Sequence, residues 1–241
     1  MHRFFVSKSF ITESSVNLSG DDVKHITRVL RLAEGDHIMV CDGEGTDYLC
    51  SISECGKDFV SADILEKTEC KTESKVKITL YQGLPKGDKM DYIVQKCVEL
   101  GVCKIVPVVM KRTVVKVKEG SSKNARWQRI AEEAAKQSER GIIPAVGDTV
   151  SYSEMLDSLG EDSLTILAYE NEKTTSLKDV LSSCKSDKIN IIIGPEGGFE
   201  EQEVILAQDR GSKVVTLGNR ILRCETAPVA LVSALMYELD W

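Results

Sequence analysis

The chain has little from which to build a metal centre or a disulfide framework. Its three histidines stand apart, and its eight cysteines (positions 41, 50, 55, 70, 97, 103, 184 and 224) include no C-x-x-C pair. Neither a zinc site nor a set of structural bridges is indicated. No apolar stretch reaches the length of a membrane span. Arg3, Lys8 and Glu13 surround a very short N-terminal apolar patch, unlike the core of a secretion signal, so a cytoplasmic protein is expected. A G-x-G-x-x-G fingerprint and a Walker loop are also missing, which removes the commonest glycine-rich cradles for dinucleotides and nucleoside triphosphates.

What is present is a chain of 241 residues, enough for one large domain or for a small one plus a medium one. The net charge of −7 argues by itself against a nucleic-acid partner, because phosphate neutralisation drives such binding. The distribution says otherwise. From Pro85 to Arg140 cations outnumber carboxylates 13 to 7, whereas elsewhere they are outnumbered 18 to 31. Lys111, Arg112, Lys116, Lys118, Lys123, Arg126 and Arg129 cluster there, either as a phosphate-contacting patch or as a solvated helix face.

Residues 1 to about 70 predict short strands over Arg3–Val6, His37–Cys41, Asp47–Ile52 and Phe59–Leu65, with Asp42-Gly43-Glu44-Gly45 as a hairpin turn. That is a small β-barrel. One helix interrupts it, with Ser19 as N-cap and Val23, Ile26, Val29 and Leu30 as its apolar face. The same helix would align Lys24, Arg28 and Arg31 on one stripe. The polar stretch Lys67–Lys75 has the composition of an exposed linker and divides a first domain, 1–70, from a second, 71–241.

Beyond it, strands are expected over Val76–Gly83, Lys104–Met110, Leu164–Tyr169, Ile189–Ile193 and Lys213–Leu217. Helices are expected over Asp88–Leu100, Asn124–Gln137, Ser176–Ser183, Glu200–Asp209 and Ala227–Leu239. Such alternation makes an α/β domain on a mostly parallel sheet. Gly101 should end the first of these helices. The last is apolar almost all round and should be buried on more than one side, with Thr226 as its cap and Pro228 in its first turn.

Two glycine turns carry the functional signal. Ile193-Gly194-Pro195-Glu196-Gly197-Gly198-Phe199 and Leu217-Gly218-Asn219-Arg220-Ile221-Leu222-Arg223-Cys224-Glu225 each follow a β-like apolar run and each open into a helix. Glycine there lets main-chain groups approach a ligand without Cβ obstruction. One such turn is an ordinary strand-to-helix connection; two in tandem mark a ligand site built from backbone.

These turns resemble the RsmE family, SPOUT-class methyltransferases acting on N3 of a uridine in 16S ribosomal RNA. The likeness covers most of the chain. It includes Met1-His2-Arg3-Phe4-Phe5, His25-Ile26-Thr27-Arg28-Val29-Leu30-Arg31-Leu32 with Gly35-Asp36, Leu84-Pro85-Lys86-Gly87-Asp88-Lys89-Met90, Gln95–Gly101, and Trp127 with Ala131–Ser138. The resemblance implies a PUA-like RNA-binding barrel, a SPOUT sheet with a C-terminal trefoil knot, and a homodimer that hides the last helix. Periodicity alone would have given an unknotted sheet.

The resemblance also implies S-adenosyl-L-methionine as cofactor. Ala168, Tyr169, Glu170, Gly194, Pro195, Glu196, Gly197, Gly198, Leu217, Gly218, Ile221 and Leu222 would surround its adenosine. Arg3, His25, Arg28, Arg31, Lys86 and Lys89 would hold 16S rRNA, within the small ribosomal subunit. Uracil N3 is protonated at neutral pH, so Arg223 is the candidate for stabilising its developing charge and Glu225 for accepting its proton. Other readings stand beside these: Glu225 as a partner of the last helix's dipole, Glu196 as a bond to nearby amides, and His25 as a structural group. Cys224 reads as a packing residue, and no metal is needed. For the whole chain, the alternatives are a non-catalytic RNA-binding module with a vestigial pocket and a small-molecule enzyme that binds anions at Gly194–Phe199.

Overall fold

The computed structural model describes residues 1–115, 123–182, 184 and 186–240. Lys116 and Lys118 of the basic cluster, and Ser183 at one expected helix end, lie outside the described residues. The chain forms two compact units: Met1–Glu73 with Ala135–Ile143, and Ser74–Ala134 with Pro144–Trp241.

The first unit contains β1 (Arg3–Phe5), β2 (Ser15–Ser19), a short helix α1 (Asp21–Lys24), β3 (His37–Cys41), β4 (Thr46–Cys55) and β5 (Phe59–Glu69). The strand order is β1-β3-β4-β5-β2, parallel at β1/β3 and antiparallel elsewhere. It is a half-barrel, the small β-barrel unit expected of this segment in half-open form. β1 has only three residues, and Lys8–Phe10 turns into a 3-10 coil before β2 begins, leaving too little strand to close the sheet. β2 escaped the sequence reading because only Val16 and Leu18 alternate inward among polar neighbours. Register shifts at Leu49/Cys50 and Ile52/Glu54 bend the long hairpin over a core of Phe4, Val16, Leu18, Ile26, Ile38, Val40 and Val60.

The helix departs from expectation. Ser19 ends β2 and Gly20, at φ 71°, holds the N-cap position. After Lys24 the coil widens into a π-helical turn, His25–Val29. Val29 is 69% exposed and so leaves the apolar face. Arg31 lies past the helix at φ 56°, off the Lys24–Arg28 stripe, because the wide turn breaks the 3.6-residue period.

Lys67–Lys75 is mostly exposed, and the two units divide inside it, between Glu73 and Ser74. β5 runs through it to Glu69, Cys70 is buried, and Glu73 sits in a polar clamp. Its carboxylate accepts from Arg140 Nη2 (2.7 Å) and Nε (3.2 Å) and from the N–H groups of Gly141 (2.9 Å) and Ile142 (3.1 Å). Ala135–Ile143 thereby counts with the first unit.

The second unit comprises β6 (Lys77–Gly83), α2 (Lys89–Glu99), β7 (Lys104–Val109), α3 (Lys123–Gln137, whose last turn counts with the first unit), β8 (Ala145–Val146), β9 (Val150–Ser151), α4 (Tyr152–Asp157), β10 (Leu164–Ala168), α5 (Leu177–Leu181), β11 (Lys188–Ile193), α6 (Glu201–Asp209), β12 (Lys213–Val215) and α7 (Thr226–Leu239). The sheet order is β12-β10-β11-β6-β7-β8, with β9 also on β7, and every described pairing is parallel. Layers on both faces explain the unbroken apolar run of β11, where Ile189, Ile191, Ile192 and Ile193 are all buried. Met90, Ile93, Val94 and Cys97 face inward from α2, and Gly101 at φ 100° ends it as expected. β8, β9 and α4 are too short to register as periodicity, although Ser151 and Glu154 form a capping box at α4.

After β12, at the sheet edge, the chain returns past β10 to place α7 against β11, β6 and α2. Thr226 is the first helical residue and not the cap; Glu225 holds the cap position without a side-chain cap bond. The Arg223 carbonyl receives the N–H groups of Thr226 and Ala227 instead, each at 2.9 Å. α7 buries Leu231, Val232, Leu235 and Met236 and leaves Ala230, Ala234 and Tyr237 exposed.

Candidate functional site

β12, β10 and β11 are parallel neighbours, so the loops leaving their C-terminal ends must gather on one side of the sheet. They enclose a cavity of about 490 Å³. Ala168, Tyr169 and Glu170 come from the end of β10; Gly194, Pro195, Glu196, Gly197 and Gly198 from the turn after β11; Leu217, Gly218, Ile221 and Leu222 from the segment after β12. All twelve residues expected around the adenosine therefore line one wall-to-wall space, together with Arg223 and Glu225.

Glycine is required where the loops touch. Gly198 has φ 68°, and a Cβ there would fall against Glu170 Oε1. At Gly83, the end of β6, a Cβ would lie 2.5 Å from the backbone nitrogen of Pro195. Gly83 was not anticipated, because its partner is a backbone atom far along the chain. Phe199 anchors the first turn: it is buried and meets Tyr169 edge-on at 6.3 Å. Arg112 Nη1 donates to the Gly197 carbonyl at 2.9 Å, which ties the basic loop after β7 to the same turn.

Two of the cations expected at RNA have intramolecular partners. Lys89, expected at RNA, lines the cavity, with Nζ 3.0 Å from Glu196 Oε1 and 3.4 Å from Glu225 Oε2. Lys86 uses its backbone N–H, donating to Glu196 Oε1 at 3.0 Å, while its side chain is exposed. Burial opposes the charge on Glu196, but the Lys86 amide and Lys89 hold its carboxyl below the usual range. Glu225 is also held low: burial again opposes charge, and the Cys224 thiol and Lys89 outweigh it. Burial, followed by the Glu225 carboxylate, pushes Cys224 up to about 12, so it remains a thiol. Arg223 is exposed on the cavity wall and, among the described residues, no side chain pairs with it.

Arg3 is the second. Its guanidinium grips Asp47 through two bonds of 2.6 and 3.0 Å and reaches Cys70 Sγ at 3.4 Å, with both partners nearly buried. His25 is exposed and packs edge-on against Phe4 at 6.0 Å. Arg28 and Arg31 are exposed. Of the basic cluster, Arg126 is held by Asp91, which also accepts from Trp127 Nε1 at 3.1 Å, while Lys111, Arg112 and Arg129 are exposed.

A family model described as RNA methyltransferase domain matches residues 72–236, and one described as RNA methyltransferase PUA domain matches residues 18–65. The chain is similar to the ribosomal RNA small subunit methyltransferase E of Bacillus subtilis (strain 168), at 36% identity covering 100% of this chain and 98% of that protein. It is also similar to that of Aquifex aeolicus (strain VF5), at 36% identity covering 89% and 91%. Among solved structures, the ribosomal RNA small subunit methyltransferase E from Neisseria gonorrhoeae bound to S-adenosyl methionine matches with a TM-score of 0.89 at 35% identity, over 99% of this chain and 98% of that one.

Proposed function

This chain belongs to the ribosomal RNA small subunit methyltransferase E family, and from that premise we propose that it transfers a methyl group from S-adenosylmethionine to N3 of one uridine of 16S rRNA. The observation that carries the reading is the convergence of both glycine turns and the end of β10 on a single cavity. Its volume lies within the range of small-molecule sites. Its walls suit the cofactor: main-chain groups of the Gly194–Gly198 and Leu217–Leu222 turns for the adenine edge, and three carboxylates, Glu170, Glu196 and Glu225, for a ligand with two cationic centres and a ribose. Bound there, S-adenosylmethionine supplies an electrophilic methyl group, and the protein's task is to align an acceptor nitrogen with it.

Arg223 faces the same space as a cation and favours the uracil anion that forms as N3 loses its proton. Glu225 is the candidate acceptor of that proton; its lowered pKa keeps it ionised at neutral pH and makes it a weak base that passes the proton on to water. The passage of the chain from β12 back past β10 supports a C-terminal trefoil knot. RNA would be held by the exposed Arg28, Arg31 and His25 of the half-barrel and by Lys86, with shape and backbone contacts dominating recognition. The exposed Ala230, Ala234 and Tyr237 of α7 are the face on which two copies would pair.

Thermal shift with S-adenosylhomocysteine and with inorganic phosphate separates this reading from an anion-binding enzyme. Stabilisation by the first and not the second is expected; the reverse would overturn the proposal.

A further inference from the structure

Two carboxylates on different loops converge on one ammonium. Lys89, the first residue of α2, reaches Glu196 on the turn after β11 and Glu225 ahead of α7, at 3.0 and 3.4 Å, with Cys224 Sγ at 4.0 Å. The three charged side chains keep 34%, 31% and 19% of their surface, so water screens them only in part. Without the ammonium, two like charges would face each other across the cavity, a costly arrangement. Lys89 belongs to no glycine turn and lies on the first helix of the unit, so it joins the two loops from outside both.

We propose that Lys89 sets the charge of the cavity and, through it, the balance of affinity between the methyl donor and the demethylated product. The inference rests on the methyltransferase reading. Donor and product share adenosine and amino acid and differ at sulfur, which is a cationic sulfonium before transfer and a neutral thioether after it. The ratio of their affinities therefore reports the field at sulfur and cancels what the cavity contributes to binding the shared adenosine and amino acid. Lys89 acts on that field twice, as a cation repelling the sulfonium and as a mask over Glu196 and Glu225. The other charges on the wall, Glu170, Lys173, Arg220 and Arg223, are common to every variant below. Removing Lys89 exposes two carboxylates and favours the donor. Removing either carboxylate leaves the ammonium less masked and favours the product. Lys89 is thus a positioning residue acting through charge.

The test is calorimetric titration of the full chain with S-adenosylmethionine and with S-adenosylhomocysteine, for wild type, Lys89→Met, Lys89→Arg and Glu225→Gln. We expect Lys89→Met to raise the donor-to-product affinity ratio about tenfold and Glu225→Gln to lower it about fivefold, with Lys89→Arg within twofold of wild type. A merely structural Lys89 would weaken both ligands alike and leave the ratio unchanged, which would overturn the inference. Should Lys89→Met fail to fold, Glu196→Gln and Glu225→Gln carry the test, since both must move the ratio toward the product. Wild type that binds neither ligand would sink the methyltransferase reading and this inference with it; wild type that binds both, with one ratio across all variants, would sink the inference alone.

Discussion

Arg3 and Asp47 form a two-bond ion pair at 2.6 and 3.0 Å inside the first unit, joining the N-terminal strand to the long hairpin. Arg3→Ala leaves a nearly buried carboxylate without its partner, and the expected loss is about 3 kcal/mol of stability. Chemical denaturation of the single and double variants checks it. Arg3→Ala with Asp47→Ala should recover part of the loss, whereas a phosphate-binding Arg3 would show near-native stability and a shallower salt dependence of RNA binding.

Glu73 and Arg140 predict an acid-sensitive first unit. Burial disfavours the Glu73 charge, but Arg140 and two backbone amides hold its pKa below the ordinary carboxylate value. Its stabilising contribution is complete above the unfolded carboxylate pKa and is lost as pH falls through the lower, folded value. Glu73→Gln should cost about 3 kcal/mol at neutral pH and flatten the acid limb of the stability profile. Thermal melts from pH 7 down to pH 3 measure both effects.

Gly198→Ala should damage the cofactor site while leaving the sheet intact. The residue sits at φ 68° and a Cβ would press on Glu170, so about 1 to 2 kcal/mol of strain is expected. Affinity for S-adenosylhomocysteine should fall at least about tenfold, by calorimetry, as the Gly194–Phe199 turn shifts.

Arg223→Ala should lower the rate of methyl transfer by about 10² to 10³, the scale of losing one charge-stabilising donor, with cofactor affinity changed less than about threefold. Single-turnover assays with saturating cofactor separate the two quantities.

Tyr237→Glu places a charge on the exposed apolar face of α7, where Tyr237 is 71% exposed. Light scattering should show wild type as a dimer and the variant as a monomer with an unchanged far-ultraviolet spectrum.

Much of the second unit was legible in the sequence because it is written in local signals. β-branched runs, glycines after strands and the 3.6 period of Met90, Ile93, Val94 and Cys97 each act within a few residues. The cavity was legible for the same reason: parallel neighbouring strands force their C-terminal loops together once the glycine turns are recognised. What stayed hidden depends on distance. Arg3 meets Asp47 44 residues away, and no local pattern tells a buried cation from one poised for phosphate. Nothing local in the sequence shows that Lys89 meets Glu196 and Glu225, which lie more than a hundred residues away. Arg31 fell off its stripe because a π-helical turn resets the period, and two-residue strands such as β8 and β9 leave no period to read.

The most direct measurement incubates the purified chain with labelled S-adenosylmethionine and small ribosomal subunits that lack the modification, then maps the label by nuclease digestion and mass spectrometry, with Arg223→Ala alongside. Label confined to a single N3-methyluridine of 16S rRNA, and lost in the variant, is the predicted result. Folded protein that binds the cofactor yet labels no uridine of the subunit, or labels it at a position other than N3, would contradict the account.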